Sequence, residues 1–533
     1  MNFKVMGKLL GKIMILEGIL MIFPLIVSII YQEGFIYILS YAIPIFVLIV
    51  VGTILQHLKP ERNSLYQKEG FALVALVWIL MTLFGAIPFV INKDIPNYID
   101  ACFEIMSGFT TTGASIVKDI TALKHSTLFW RSFTHWIGGM GILVFILIFI
   151  PESGDGSSFH LLRAESPGPQ VGKLVSKMKV TTRILYLIYL GLTIIEVVLL
   201  LFSKPVVIPG VASESDHLFY CLLTAFGSAG TGGFGFLPNS FEYFSPYAQY
   251  VVATFLIIFG INFTLYYLLL IGKTKEVLKS EELKAYLAFI VVGITIIVIS
   301  MVDKYQSVEE CFRHAYFQVA SIITTTGYTT TNFDKWSEVA KVVIVLLMFS
   351  GAMAGSTGGG IKVSRIVIAI KGIGLNIRKL INPNYVAKTK FEGKTLDNKT
   401  IQDVFTFLAM YMVILLAGII ILSFDQANGK TYAIGNISQD NIVEIRENEI
   451  ANNYDLNSDM SNNNEIVTHG FFTNFSAMLS CLSNIGPGLE AVGPYASFAE
   501  YNPVSKITLT FAMLIGRLEI LPVLILFNKR TWK

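Results

Sequence analysis

Charge is what this chain has least of. Only 14% of its 533 residues are Asp, Glu, Lys or Arg, while 53% are hydrophobic and the mean hydropathy is +0.63. A soluble core of this length could not bury so much apolar surface, which excludes a soluble globular protein and leaves a polytopic membrane protein. The formal net charge of +3 is small and spread over loops, so nothing points to a nucleic-acid partner. Cysteine is scarce as well. Cys102, Cys221, Cys311 and Cys481 show neither C-x-x-C spacing nor a Cys/His cluster, so no disulfide framework or metal site is expected, and the thiols are read as small apolar fillers. No close nucleophile–base spacing suggests an enzyme. Two nucleotide-binding patterns fail on context. Residues 230–235 satisfy G-x-G-x-x-G without a preceding soluble strand, and Gly355 to Lys362 lacks the Gly-Lys-Ser/Thr of a phosphate loop, so no ATPase is encoded.

Long apolar segments, by contrast, recur throughout. Segments 9–30 and 35–55 form a leading pair; the first is too long for a signal peptide and lacks a cleavage site. Four units follow, each an outer helix, a short pore helix, a glycine-centred segment and an inner helix. The outer helices are expected near 71–91, 184–202, 283–302 and 401–424, and the inner helices near 128–150, 248–271, 339–370 and 505–527. This is an all-α polytopic membrane fold of about ten spans. Its divisions are 1–69 for the leading pair, then repeats at 70–183, 184–282, 283–400 and 401–533, the last carrying an insertion at 425–469.

Basic residues assign the sides. Lys4, Lys8 and Lys12 precede the first span, and Lys59, Arg62 and Lys68 follow the second. Lys173, Lys177, Lys179 and Arg183 separate the first two repeats, and Lys371, Arg378, Lys379, Lys388, Lys390, Lys394 and Lys399 separate the last two. All these loops fall on one side, expected to be cytoplasmic, with both termini inside. The basic stretch 371–399 is either a docking surface or a solvated positive-inside loop. The insertion holds Asp440, Glu444, Glu447, Glu449, Asp455, Asp459 and Glu465, and is expected to be a solvated external loop or a cation-attracting vestibule.

The glycine-centred segments are Thr110-Thr111-Thr112-Gly113-Ala114, Gly230-Thr231-Gly232-Gly233-Phe234, Thr324-Thr325-Thr326-Gly327-Tyr328 and Ser483-Asn484-Ile485-Gly486-Pro487. Each follows a run too short to cross a bilayer. Ser107, Gly227, Ser321 and Ser480 all stand six residues before the glycine, so the units share one register. A short helix aimed at a pore centre presents its carbonyl end to a cation, and the segment after it lines up carbonyls that replace water. Any single glycine could instead be a packing or turn position; four in matching contexts indicate a filter.

Two further features bear on gating. The third inner segment contains Ser350, Gly351, Gly355, Ser356, Thr357, Gly358, Gly359 and Gly360, which costs a helix about 1 kcal/mol per Gly relative to Ala. A break is expected there, forming an intramembrane loop below the filter, with close helix packing through small residues as the alternative. Arg517 stands ten residues before Phe527, about 15 Å along a helix, too deep for easy snorkelling. Beneath a filter it would repel cations and bond loop carbonyls near 355–360; otherwise it pairs with Glu519 or anchors a helix end. Glu104 could add negative potential behind the filter, while Glu17, Glu196, His135, Asn262 and His314 are expected to be hydrogen-bonded helix contacts.

These residues resemble the TrkH/KtrB potassium transporter superfamily, in the TrkH-type membrane subunit. The motifs are residues 109–113, 323–331, 355–362 (Gly-Ser-Thr-Gly-Gly-Gly-Ile-Lys) and 483–488, together with the leading pair of spans. The resemblance implies a pseudo-fourfold pore in one chain that conducts K⁺. The filter would use Thr111, Thr112, Gly113, Gly232, Gly233, Thr325, Thr326, Gly327, Ile485 and Gly486. The gate would be Gly355, Ser356, Thr357, Gly358, Gly359, Gly360 and Lys362, with Arg517. A homodimer in the cytoplasmic membrane, controlled by a cytoplasmic TrkA-like (RCK) nucleotide-binding ring, is implied as well. Only the first and third filters carry Thr-Thr-Thr-Gly and none carries Thr-Val-Gly-Tyr-Gly, so modest selectivity over Na⁺ is expected, and Pro487 removes one backbone donor. The alternative function is K⁺ symport with H⁺ or Na⁺; against it, the repeats run in one sense and are not inverted.

Overall fold

The computed structural model describes residues 1–59, 66–141, 178–206, 216–237, 239–384, 388–434, 442–445 and 465–518, with 520, 523 and 526. Arg62, Lys173, Lys177, Glu519, Phe527, residues 142–150 and, in the insertion, Asp440, Glu447, Glu449, Asp455 and Asp459 lie outside the described residues.

The leading pair consists of α1 (Phe3–Leu20) running into α2 (Ile22–Ile30), and α3 (Phe35–Gln56), which packs against both. The first repeat has α4 (Gln67–Gly85) extended by α5 (Ile87–Ile91), the short α6 (Tyr98–Phe109) and α7 (His125–Gly139). The second has α8 (Met178–Leu201), the short α9 (His217–Gly230), then α10 (Pro246–Phe259) and α11 (Phe263–Leu270), followed by α12 (Thr274–Lys279). In the third, α13 (Glu281–Met301) and the short α14 (Val308–Ile323) precede α15 (Glu338–Phe349) and α16 (Val363–Ile381). The strands β1 (Lys390–Phe391) and β2 (Lys394–Thr395) form a hairpin ahead of the fourth repeat, which has α17 (Asn398–Leu422), the short α18 (Phe471–Ser483) and α19 (Pro503–Leu518).

Among the described residues six helical stretches are long and apolar enough to span a bilayer: Phe3–Ile30, Phe35–Gln56, Lys68–Ile91, Thr182–Leu201, Glu281–Lys304 and Asn398–Leu422. These are the leading pair and the four outer helices. Their outward side chains stay apolar: Phe46, Val291, Ile299, Val413 and Ile420 are each more than 60% exposed. Such a belt is costly in water and matches lipid.

The second inner helix departs from the continuous span expected of it, and the third breaks where its run of glycines predicts. The stretch 248–271 is bent by 91° between α10 and α11, where Gly260, Ile261 and Asn262 interrupt it. The first ends at Gly139, with Gly141 in the left-handed region at φ +79°, and the third is non-helical from 350 to 362. Among the described residues, six unbroken spans and one bent pair are long and apolar enough to cross a bilayer, and glycine and small polar residues interrupt the second and third inner helices where they pass beneath the short helices. The insertion also differs from a plain solvated loop. Strand β3 (Thr431–Ile434) pairs antiparallel with both β4 (Ile442–Ile445) and β5 (Glu465–Thr468) in the order β4-β3-β5.

Local sequence sets the helix starts near the centre. Asn97 caps α6 by accepting the Ile99 N–H (2.9 Å), Ser307 caps α14 by accepting that of Glu310 (3.1 Å), and Ser245 precedes Pro246 at the start of α10. The acidic first turns, Asp100 in α6 and Glu309 and Glu310 in α14, complement the helix dipole.

Candidate functional site

The four short helices end in one repeated turn. The residue two before each glycine, Thr111, Thr231, Thr325 or Asn484, is left-handed, with φ between +53° and +59°. Its N–H returns to the carbonyl three residues back: Gly108 (3.1 Å), Ser228 (3.0 Å), Ile322 (3.0 Å) and Cys481 (3.3 Å). The next N–H, of Thr112, Gly232, Thr326 or Ile485, donates to Ser107, Gly227, Ser321 or Ser480 at 2.8 to 3.0 Å. This is the paired closure of a Schellman helix end. It explains the shared register: the residue six before the glycine supplies the carbonyl that closes the turn.

Left-handed backbone is unfavourable for a β-branched residue, yet three of the four positions are Thr, and at two of them the side chain shows why. Thr325 Oγ1 accepts the Gly359 N–H (2.7 Å), and Thr111 Oγ1 accepts from Arg517 (3.1 Å). Asn484 Nδ2 donates to the Met513 carbonyl and to Thr112 Oγ1, both at 2.9 Å. The turns thus carry side-chain contacts that glycine could not make.

The glycines then close a ring. A Cβ on Gly113 would lie 3.1 Å from the Gly233 backbone, one on Gly233 would lie 2.0 Å from the Thr326 carbonyl oxygen, and one on Gly327 2.0 Å from that of Ile485. One on Gly486 would lie 2.9 Å from that of Thr112, which returns to the first repeat. At Gly233, Gly327 and Gly486 only hydrogen fits, while a side chain at Gly113 would require the facing backbone to yield by a few tenths of an ångström. Gly113, Gly233, Gly327 and Gly486 all line one cavity, whose rim includes Lys118, Asp119 and Tyr495; Lys118 is paired with Glu500. With α6, α9, α14 and α18 all ending at this ring, four negative helix ends converge on it.

The ring is fourfold in backbone and twofold in hydroxyls. In the first and third repeats, which face each other across it, Thr110 and Thr324 donate to the carbonyl four residues back (2.6 Å each) and lie 2.8 Å from Thr112 and Thr326 Oγ1. The second and fourth have no such pair. Instead the Gly233 N–H donates to the Thr326 carbonyl (2.7 Å), and Ser480 Oγ donates to the Gly486 carbonyl (2.8 Å).

Residues 350–362 fold beneath the ring. The neck is closed by Gly351 N–H to the Ile361 carbonyl (2.7 Å), and Gly355 and Gly360 are left-handed, at φ +75° and +66°. The bend between α10 and α11 receives the segment: Met353 N–H donates to the Gly260 carbonyl (3.1 Å), and Phe263 N–H to that of Gly355 (3.0 Å). Lys362 Nζ donates to the Gly358 carbonyl. Arg517 donates to the Thr357 carbonyl (2.7 Å) through Nη1, and to the carbonyls of Gly138 and Gly139 through Nη2. One guanidinium therefore joins the first turn, the first inner helix and the 350–362 segment.

Other polar residues sort differently from expectation. Glu104 does not lie as a bare negative charge behind the ring; buried Arg131 neutralises it at 2.8 Å. Glu104 also accepts from Ser115 Oγ (3.0 Å) and the Ile116 N–H (2.7 Å), while Arg131 donates to the Gly235 carbonyl (3.1 Å) and lies over the Phe234 ring. The pair fixes the chain beyond the first and second turns. Arg131 was missed by motif reasoning, although an arginine in the middle of an apolar helix was its signal. Replacing Arg131 with Met would strand a buried carboxylate and cost about 3–5 kcal/mol, read as a fall in the unfolding midpoint of the detergent-solubilised chain. Restoring much of that midpoint with a second change, Glu104→Leu, would show the pair to be the cause.

His135 braces two repeats. Its Nδ1 lies 2.8 Å from the Gly108 carbonyl, and its Nε2 accepts the Phe234 N–H (3.2 Å), which fits a neutral ring protonated at Nδ1. Asn262 caps α11 through the Thr264 N–H (2.8 Å), and His314 Nδ1 meets Thr330 Oγ1 (2.8 Å). The buried carboxylates depart from this pattern. Glu17 has no hydrogen-bond partner among the described residues, and Glu196 lies against Ser228, whose hydroxyl is given to the Thr224 carbonyl (3.0 Å).

A family described as "TrkH: Cation transport protein" matches residues 39–428 and 460–532. The Trk system potassium uptake protein TrkH of Salmonella typhimurium is 31% identical over 543 residues, covering 100% of both chains. The protein of the same description from Escherichia coli K12 is 30% identical over 541 residues, again covering 100% of both. Among solved structures, the potassium transporter TrkH from Vibrio parahaemolyticus matches with a TM-score of 0.78 at 27% identity, covering 100% of each chain.

Proposed function

From the premise that this chain belongs to the TrkH family of cation transport proteins, we propose that it takes up K⁺ through a gated, channel-like pore in the cytoplasmic membrane. The observation that carries this reading is the closed ring of Gly113, Gly233, Gly327 and Gly486, each glycine packed against the backbone of the next repeat. Oxygens of Thr111, Thr112, Gly113, Gly232, Gly233, Thr325, Thr326, Gly327, Ile485 and Gly486 replace the hydration shell of K⁺, which is the transported ion. The convergent helix ends favour the cation over an anion. Beneath the ring, Gly355, Ser356, Thr357, Gly358, Gly359 and Gly360 obstruct the pathway, and Lys362 and Arg517 hold them there by bonding the Gly358 and Thr357 carbonyls.

The basic loops put both termini in the cytoplasm, so an inside-negative potential drives uptake, at about 2.3 kcal/mol per 100 mV for one charge. The related proteins are named as parts of a Trk system. A homodimer that takes its control from a cytoplasmic nucleotide-binding ring of TrkA type accords with that, since neither glycine-rich pattern at 230–235 or 355–362 has the sequence context of a nucleotide site.

The test is ion uptake into liposomes that hold the full chain, comparing K⁺, Rb⁺, Na⁺ and Li⁺ under an imposed potential with no pH or Na⁺ gradient. Uptake of K⁺ and Rb⁺ set by voltage alone is expected. Uptake that required an H⁺ or Na⁺ gradient would replace the pore with a coupled carrier.

A further inference from the structure

A line of contacts runs from the small hairpin β1–β2 to the segment beneath the ring. Glu282, in the first turn of α13, is buried, and its Oε1 accepts two backbone N–H groups: Ala354 (2.8 Å), inside the 350–362 segment, and Ser364 (3.0 Å), in the first turn of α16. One oxygen thus ties the middle of the segment to the helix that leaves it. Lys362, which donates to the Gly358 carbonyl, faces the same carboxylate.

The start of α13 is held in turn from the hairpin. Glu392 Oε1 accepts from the Ser280 hydroxyl (2.8 Å) and from the Glu282 N–H (3.0 Å). Glu392 and Gly393 are the two central residues of the hairpin turn, with φ +49° and +70°. A two-residue turn of that hand favours Asn, Asp or Gly at its first central position, and Glu there is strained. Asn or Asp would relieve the strain, but each is one methylene shorter than the arm that reaches α13. The hairpin itself is seated by Phe391, buried among Ile368, Leu396 and Val404. Lys371 joins it to the same helix, donating to the Glu281 carboxylate and to the Lys390 carbonyl.

We propose that Glu282 and Glu392 are positioning residues for the 350–362 segment. Glu392 fixes the start of α13, Glu282 on that start holds the segment closed, and movement of the hairpin reaches the segment through the two carboxylates. This rests on reading the segment as the gate. The sequential contacts, and a strained Glu where a shorter residue would suit the turn, carry the assignment.

The test is Rb⁺ and Na⁺ uptake into liposomes by the full chain carrying Glu392→Asn, Glu392→Gln or Glu282→Gln, with Arg517→Ala alongside. Glu392→Asn suits the turn and removes the arm, so the hairpin survives while its hold on α13 is lost. Uptake of both ions is expected to rise by about fivefold, the effect of one ordinary hydrogen bond on a two-state equilibrium, with the Rb⁺/Na⁺ ratio unchanged. Glu392→Gln keeps an acceptor at the same reach and should stay near the parent chain; Glu282→Gln, with a neutral acceptor, should fall between. A changed Rb⁺/Na⁺ ratio would mean damage to the ring and would overturn the proposal. If Arg517→Ala raised uptake while Glu392→Asn and Glu282→Gln did not, the gate would stand and the two positioning roles would be wrong. If Arg517→Ala also left uptake unchanged, the gate reading would fail and this inference with it.

Discussion

Liposomes carrying the Arg517→Ala chain are expected to take up Rb⁺ about tenfold faster than the parent under the same imposed potential, with no partner added. The guanidinium donates to Thr111 Oγ1 and to the carbonyls of Thr357, Gly138 and Gly139. A hydrogen bond from a charged donor contributes about 1.5–3 kcal/mol, so losing the Thr357 link alone supports a tenfold shift toward an open segment. The charge acts in the same direction, since a cation leaving the ring meets a fixed positive group. Arg517→Lys separates the two effects. It keeps the charge but cannot span four acceptors in the planar fork of arginine. Fast uptake by both variants would assign the barrier to the bridge, and slow uptake by the Lys variant to repulsion. Unchanged uptake by correctly inserted Arg517→Ala would remove the residue from gating.

The second large effect concerns ion preference. Gly327 has φ +88°, and its missing Cβ would sit 2.0 Å from the Ile485 carbonyl oxygen. Gly327→Ser must therefore displace that oxygen or rotate the backbone out of the left-handed region, where a side chain costs about 1–2 kcal/mol. Preference for Rb⁺ over Na⁺ should fall by about tenfold, measured as Na⁺ competition against Rb⁺ uptake. Gly113→Ser should do less, because the nearest backbone lies 3.1 Å from its Cβ position and can yield by a few tenths of an ångström. Equal ion preference in the parent and both variants would sink the assignment of the ring as the filter.

Much of this architecture is legible along the chain because it depends on local rules. Hydropathy marks the two leading spans and four outer helices, and the recurring six-residue spacing before Gly113, Gly233, Gly327 and Gly486 marks four equivalent turns. That spacing is visible because the Schellman closure is local: an N–H reaches back five residues in every repeat, whatever surrounds it. The run of Gly and Ser between 350 and 360 likewise announces a break, since helix propensity is a property of each residue.

The partners of buried polar groups were not legible, and neither was the bend of α10 and α11. Glu104 and Arg131 stand 27 residues apart, Thr111 and Arg517 406 apart, and no periodicity relates them. The sequence by itself determined a membrane protein of four repeated glycine-centred turns, because apolar length and turn chemistry are short-range properties. Only the tertiary structure decided which glycine abuts which, that the first and third turns face each other, that Arg517 bridges three elements, and that Glu282 and Glu392 link a hairpin to the segment beneath the ring. These depend on where a charge or a carbonyl deprived of water finds its nearest partner, and that partner is chosen in space.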